Sequence, residues 1–226
     1  MIDAFRVDLH VHSLHSPDSR LTLDEIASHL ADAGLKGFAI TDHNSVAAHR
    51  ELPALRNQHP GVLIVPGVEV STREGHLLVY GVTEVPPPHR PIGETLRWVD
   101  QRDGVSILAH PFRFVHGVGR RVAETVSIAA VETVNGHTSA VANAKAELIA
   151  AQRHLGSTGG SDVHEISDLG RAYTEFLREP GSVEDTLEAI RRGRTTAGGR
   201  SLGRAGQLRW GLRSGALRVA RGFRSV

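Results

Sequence analysis

The sequence predicts an α/β fold with mostly parallel strands. Three observations carry this. Short apolar runs alternate with amphipathic stretches along the chain. The amphipathic stretches open on capping signals and close on glycine. Polar residues recur where the apolar runs end, the edge at which such folds place their chemistry.

Residues 5–11 form the first expected strand, carrying Asp8-Leu9-His10-Val11-His12. Alternation along a strand puts Asp8, His10 and His12 on one face and Leu9 and Val11 on the other. Two imidazoles one strand step apart suit a shared metal ion. A capping box at Thr22 and Glu25 starts a helix with Leu23, Ile26, Ala27 and Leu30 as its apolar stripe, and Gly34 ends it. Residues 37–41 make a short strand ending in Asp42-His43-Asn44. A helix over 47–57 follows, then a buried strand at 62–65 leading to Gly67-Val-Glu69, and another at 76–80. Three consecutive prolines stiffen a surface loop over 84–91.

A helix over 93–103 precedes a strand at 105–109, which ends in His110-Pro111. A strand over 128–134 ends near Asn135. A long alanine-rich helix covers 139–154, and a short strand over 158–161 ends in Asp162-Val-His164. Residues 171–177 suit an eighth strand, and Ser182 caps a last helix that stops at Gly193. No repeat or linker divides the chain, so residues 1–199 are expected to form one domain and residues 200–226 a basic tail. A helix against the domain with a solvated end is preferred for that tail over an amphipathic helix for an anionic surface or RNA, because glycines 203, 206, 211 and 215 weaken a continuous helix.

Composition narrows the chemistry. The 226 residues contain no cysteine, so disulfides and thiolate ligands are excluded. No apolar run approaches the ~18 residues that a membrane helix needs, and the N-terminus lacks the order of a signal peptide; a cytoplasmic protein is expected. Ten arginines and no acids lie from Ala189 onward, leaving residues 1–188 with 16 basic against 25 acidic residues, a formal −9. An acidic body suits cation binding. Fourteen histidines is a high count, and histidine is the commonest transition-metal ligand.

The strand ends collect His10, His12, Asp42, His43, Glu69, His110, Asp162 and His164. His76 opens its strand and joins them only if that strand runs antiparallel. Nitrogen-rich and sulfur-free, this set suits Zn²⁺, Mn²⁺ or Fe²⁺. Glu69 is the natural bridge between two cations, which would sit about 3.5–4 Å apart.

The motifs Asp8-Leu-His-Val-His-Ser13, Thr41-Asp-His-Asn44, Gly67-Val-Glu69, His76-Leu-Leu-Val-Tyr-Gly81, Ala109-His-Pro111 and Gly160-Ser-Asp-Val-His164, in this order, resemble the PHP (polymerase and histidinol phosphatase) family over residues 8–174. The resemblance implies a distorted seven-stranded (β/α) barrel with a trinuclear metal centre, and two or three divalent ions are expected as cofactors. His10, His12, Glu69 and Asp162 would hold the first; Glu69, His76 and His110 the second; His43, His164 and a loop residue the third. That loop residue is Asp18, favoured because a short carboxylate on a Ser-Pro-Asp turn points back to the strand end, with His15 as competitor.

The implied activity is phosphoester hydrolysis by a metal-bound hydroxide, on a small phosphate monoester, a nucleotide or an oligonucleotide. The short spacings between His76, His110 and Asp162 leave little room for the inserted subdomain common in nucleotide-directed members. Glu69, His164 and Arg113 are the candidates for the chemistry. Arg113 is the first choice for phosphate, since its fork matches phosphate oxygens, ahead of Arg20, Lys145 and Arg171. Glu132 and Asn135 lie at a strand end, where substrate contact, chiefly through Asn135, competes with a loop role. Asp42 is expected to orient a ligand histidine. The histidines at 29, 49, 59, 89, 116, 137 and 154 read as surface or loop residues, with His137 the first exception. The alternatives are a non-catalytic, metal-stabilised PHP-like module and a metal-dependent C–N hydrolase.

Overall fold

The computed structural model of this chain describes residues 4–203 and 206. Its strands are β1 (Phe5–Val11), β2 (Gly37–Ile40), β3 (Leu63–Ser71), β4 (His76–Tyr80), β5 (Val105–Leu108), β6 (Ala130–Asn135), β7 (Gly156–Gly160), β8 (Ala172–Phe176) and β9 (Thr195–Gly199). The helices are α1 (Leu23–His29), α2 (Leu52–Gln58), α3 (Ile92–Asp100), α4 (Gly119–Thr125), α5 (Ala140–Gln152) and α6 (Val183–Arg191). The strands form one sheet in the order β7-β6-β5-β4-β3-β2-β1-β8-β9.

β1, β2 and β3 are parallel, as are β5, β6 and β7; β4 is antiparallel to both its neighbours. The tight turn after Ser71 sets that reversal. The Thr72 N–H donates to the Gly75 carbonyl at 2.9 Å and the Thr72 hydroxyl to the same oxygen. His76, the first residue of β4, is thereby delivered to the end where the parallel strands finish.

The ring closes between β1 and the segment after β7. Val11 and Val163 pair as a parallel bridge, and the Asp162 N–H donates to the His10 carbonyl at 2.7 Å. β1 to β7 thus make the expected seven-stranded barrel. Its distortion comes from β8, which pairs antiparallel with the first half of β1, while the Thr174 hydroxyl bonds both the N–H and the carbonyl of Gly159 in β7 at 2.9 Å. β8 therefore wedges the barrel open at the far end, and β9 extends the sheet, giving nine strands rather than seven.

The period-two expectation for β1 fails in part. A register shift between Asp8 and Val11 inserts a bulge. Leu9 packs with Val7, Ala39, Val65 and Tyr80 in the interior, whereas Val11 joins the cluster under α1 and α2. Asp8 leaves the shared face and accepts the backbone N–H groups of Ser161 (2.8 Å) and His10 (3.2 Å). His10 and His12 still converge, their ring centres 5.1 Å apart.

α6 plugs the mouth opposite the strand ends with Leu187 and Ile190, which pack onto the interior cluster. Each such fully buried aliphatic side chain contributes about 1.5–3 kcal/mol. α3, α4 and α5 cover the outer face of β3 to β6. The predicted helix over 47–57 is two pieces, a 3-10 turn at Ala47–Arg50 and then α2, with Pro53 in the first turn of α2. Helix α4 and strand β9 were not expected. Among the described residues no helix is long and apolar enough to cross a membrane. The expected basic tail, residues 200–226, lies almost wholly outside the described residues.

Candidate metal centre

The strand ends bring all nine sequence-predicted ligands to one place. His10, His12, Asp18, His43, Glu69, His76, His110, Asp162 and His164 are all at most 9% exposed. Their donor atoms fall into four overlapping groups within 4.8 Å: His12-Asp18-His43-His164, His10-His110-Asp162, His10-His12-Glu69 and His43-Glu69-His76.

Glu69 lies at the middle, and its two oxygens divide the site. Oε1 lies 2.8 Å from His76 Nδ1 and 3.0 Å from His110 Nε2. Oε2 lies 3.2 Å from His10 Nε2, 3.3 Å from His12 Nε2 and 3.0 Å from His43 Nδ1. Asp18 settles on the far side, its Oδ2 3.4 Å from His43 Nε2 and 3.2 Å from His164 Nε2. His15 turns away to Glu51 Oε1 at 2.5 Å. His43 therefore faces both Glu69 and Asp18.

The backbone bends to make this possible. Asp162 and His110 both take left-handed conformations, φ +60° and +28°, which non-glycine residues rarely adopt. Each is held: Asp162 by the bond to the His10 carbonyl, and His110 by its N–H donating to Glu132 Oε2 at 2.7 Å. Gly160 permits the closest approach, since a Cβ there would lie 2.3 Å from that of His10.

Glu132 is the residue that the sequence reading left undecided. Its Oε1 accepts from His10 Nδ1 at 2.9 Å, and its Oε2 accepts from Asn135 Nδ2 at 3.1 Å. The available signal was a lone carboxylate in the apolar run Ala130-Val-Glu-Thr-Val134. Asn135 is fully buried, and its Oδ1 accepts from Arg113 Nη2 at 2.7 Å and from the Thr138 hydroxyl at 3.0 Å. Arg113 enters the site as expected, but its Nη2 also pairs with Asp162 Oδ2 and its Nε donates to Thr138 Oγ1 at 3.2 Å. Asp42 holds the Ser13 N–H at 2.6 Å and the Ser13 hydroxyl at 2.8 Å rather than a ligand ring. His137 stacks on His164 with ring centres 5.9 Å apart and pairs with Asp168 at 3.0 Å.

The electrostatics are those of a cation site. Burial pushes Glu69 up, but His43, His76 and His10 outweigh it and hold it well below the carboxylate range. Asp162 and Asp18 are likewise lowered against burial, by Arg113 and His10 in one case and by His164 and His43 in the other. Burial lowers His43 to about 4 and His110 to about 3. For His12 burial is outweighed by Asp162 and Glu69, which raise it to about 10. Ionised carboxylates thus sit among imidazoles of which some are neutral. His10 Nε2, His12 Nε2, His43 Nδ1 and Glu69 Oε2 are buried and make no hydrogen bond, although they converge. Buried polar atoms are seldom left so. A donor set of imidazoles and carboxylates with converging unbonded lone pairs fits divalent transition metals.

The chain is similar to several known proteins. The family model described as PHP domain matches residues 8–153, and that described as PHP-associated matches residues 141–195. An uncharacterised protein of Methanocaldococcus jannaschii is 27% identical over 143 residues, 58% of this chain and 82% of its own. A two-domain protein from Bacteroides vulgatus, described as containing a predicted PHP-like metal-dependent phosphoesterase, superposes with a TM-score of 0.73 at 18% identity, covering 93% of this chain and 70% of its own. PsfC from Pseudomonas syringae superposes at 0.70 and 18% identity, covering 96% and 98%.

Proposed function

This chain belongs to the PHP family, and from that premise we propose that it is a metal-dependent phosphoesterase acting on a phosphate monoester, a nucleotide or an oligonucleotide phosphate. The observation that carries the reading is the division of Glu69, one oxygen towards His76 and His110 and the other towards His10, His12 and His43. A carboxylate so shared is placed to bridge two cations.

His10, His12, Glu69 and Asp162 would hold the first ion, Glu69, His76 and His110 the second, and His43, His164 and Asp18 the third. When bound, Zn²⁺, Mn²⁺ or Fe²⁺ supplies acidification of water and withdrawal of charge from phosphoryl oxygens. Arg113 offers its guanidinium to non-bridging phosphate oxygens, in exchange for part of its pairing with Asp162. Asn135 and Thr138 aim that guanidinium, so Asn135 serves the substrate through Arg113. His164, its Nδ1 donating to the Asp162 carbonyl at 2.7 Å, keeps the Nε2 lone pair towards the centre, where it would hold the third ion.

A panel of phosphate esters, with Zn²⁺, Mn²⁺ or Fe²⁺ supplied and metal content measured on the same samples, tests this. Turnover with more than one equivalent of metal per chain is expected. Metal-loaded protein that hydrolyses amides but no phosphate ester would replace the reading with C–N hydrolysis. Loaded protein without any turnover would leave a metal-stabilised module.

A further inference from the structure

The loop between β1 and α1 carries three buried serines, and each is bound differently. The Ser19 hydroxyl donates to the His12 carbonyl at 3.0 Å, and the Leu14 N–H donates to the Leu21 carbonyl at 2.7 Å, which together close the base of the loop. Ser13 is clamped by Asp42 through both its N–H and its hydroxyl. The Ser13 carbonyl then accepts the Ser16 N–H at 2.9 Å, a tight turn that carries Ser16 in among the candidate ligands. Asp42 thus acts on those ligands through the turn.

Three groups meet the Ser16 hydroxyl there. Its oxygen lies 2.9 Å from Asp18 Oδ1, 3.3 Å from His12 Nδ1 and 3.4 Å from the backbone nitrogen of His43. A hydroxyl has one hydrogen to give and two lone pairs to offer, and an ionised carboxylate only accepts. The hydrogen therefore goes to Asp18, which leaves the lone pairs for the His12 Nδ1–H and the His43 N–H. Both consequences bear on the metal centre. With Oδ1 taken, Asp18 presents Oδ2, the oxygen that faces His43 Nε2 and His164 Nε2. With a hydrogen held on Nδ1, His12 directs Nε2 at Glu69 Oε2 and Asp162 Oδ1, at 3.3 and 3.2 Å.

Resting on the metal-ligand assignment above, we propose that Ser16 is a positioning residue shared by two cations. Its one hydroxyl selects the nitrogen that His12 offers to the first ion and the oxygen that Asp18 offers to the third. A partner that fixes a ligand in this way is worth about 10–100-fold in metal affinity. Here a single hydrogen-bonding group serves two ligands at once, so its loss reaches two ions.

The test uses the full chain titrated with Zn²⁺. Chelator competition gives the stepwise affinities, and NMR of protein carrying isotope-labelled histidine follows the His12 Nδ1–H. Wild type should take three equivalents. Ser16→Ala should bind two of them about 10–100-fold more weakly, with the circular dichroism of metal-free protein unchanged. In a His164→Ala background, where the third site is disabled, Ser16→Ala should still weaken one step, through His12. The Nδ1–H signal should exchange slowly with water in wild type and be lost to exchange in Ser16→Ala, a change that a merely structural role would not produce. Unchanged affinities or an unchanged Nδ1–H signal overturn the proposal, as does weakening of the third ion alone. Altered circular dichroism of metal-free Ser16→Ala also overturns it, because the role is then structural. Wild type that never takes a third equivalent sinks the third site and this proposal together. Three equivalents without turnover of any phosphate ester sink the phosphoesterase reading and leave the role of Ser16 standing.

Discussion

Glu132 holds His10 from behind: its Oε1 accepts from His10 Nδ1 at 2.9 Å, which leaves Nε2 directed at Glu69 and Asp162. The other oxygen takes the His110 N–H and the Asn135 amide. One buried carboxylate thus orients two candidate ligands and the residue that aims Arg113.

Both Glu132 oxygens act as acceptors, and a glutamine has one acceptor oxygen. Glu132→Gln should therefore fold but weaken metal affinity about 10–100-fold, the usual cost of losing such a partner. Chelator competition measures this. Unaltered affinity would show that His10 is positioned without Glu132.

Glu69→Gln removes one of the two carboxylate oxygens that face the histidines and so should disturb both sides of the centre. Activity should fall well beyond tenfold, a barrier change of about 1.4 kcal/mol, and metal content should drop by more than for His164→Ala. Steady-state kinetics with elemental analysis on the same samples checks both. Activity within tenfold of wild type contradicts a bridging role.

Arg113 neutralises Asp162 when no cation is nearby. Arg113→Ala should therefore lower the Tm of metal-free protein more than that of metal-loaded protein, where cations take over the carboxylate. On a good phosphate ester it should raise KM and lower kcat/KM, and Arg113→Lys should restore only part, since lysine lacks the bidentate fork. Equal Tm losses with and without metal would show that Arg113 is structural.

His49 supplies a pH dependence. It is half-buried, bonded through Nε2 to the Gly67 carbonyl at 2.9 Å, and burial lowers its pKa below 6.5. The unfolded chain takes up a proton that the folded chain refuses, so this contribution is present above pH 6.5 and declines as pH falls below it. His49→Gln should make unfolding free energy less pH-dependent between about pH 7.5 and 5.5, measured by urea titration with saturating metal. Parallel wild-type and mutant curves would refute it.

Much of the centre could be read in the chain because most of the candidate ligands sit where a strand stops, and strand ends are marked by changes from apolar to polar residues. His76 depended on one reversal of direction, which the short turn after Ser71 performs. Asp18 followed from a turn that folds back on its own strand. What escaped was set by neighbours distant in sequence. Glu132 looks like any strand-end carboxylate until β5 and β1 bring His110 and His10 to it. The β1 bulge depends on strand pairing, so alternation alone placed Asp8 wrongly beside His10. α4 is a short helix without a side-chain N-cap, and β9 is rich in glycine, so neither has a strong local signal.

The Val11–Val163 closure also has a temporal side. A ribosome releases the chain from its N-terminus, so β1 emerges early and waits until residue 163 has been made. Until then β1 and β7 present unpaired strand edges, and contacts so distant in sequence form slowly. Asp162 and His164 arrive with the same segment. Nascent chains stopped before it should be held by chaperones or aggregate, and cation loading should follow, rather than guide, completion of synthesis.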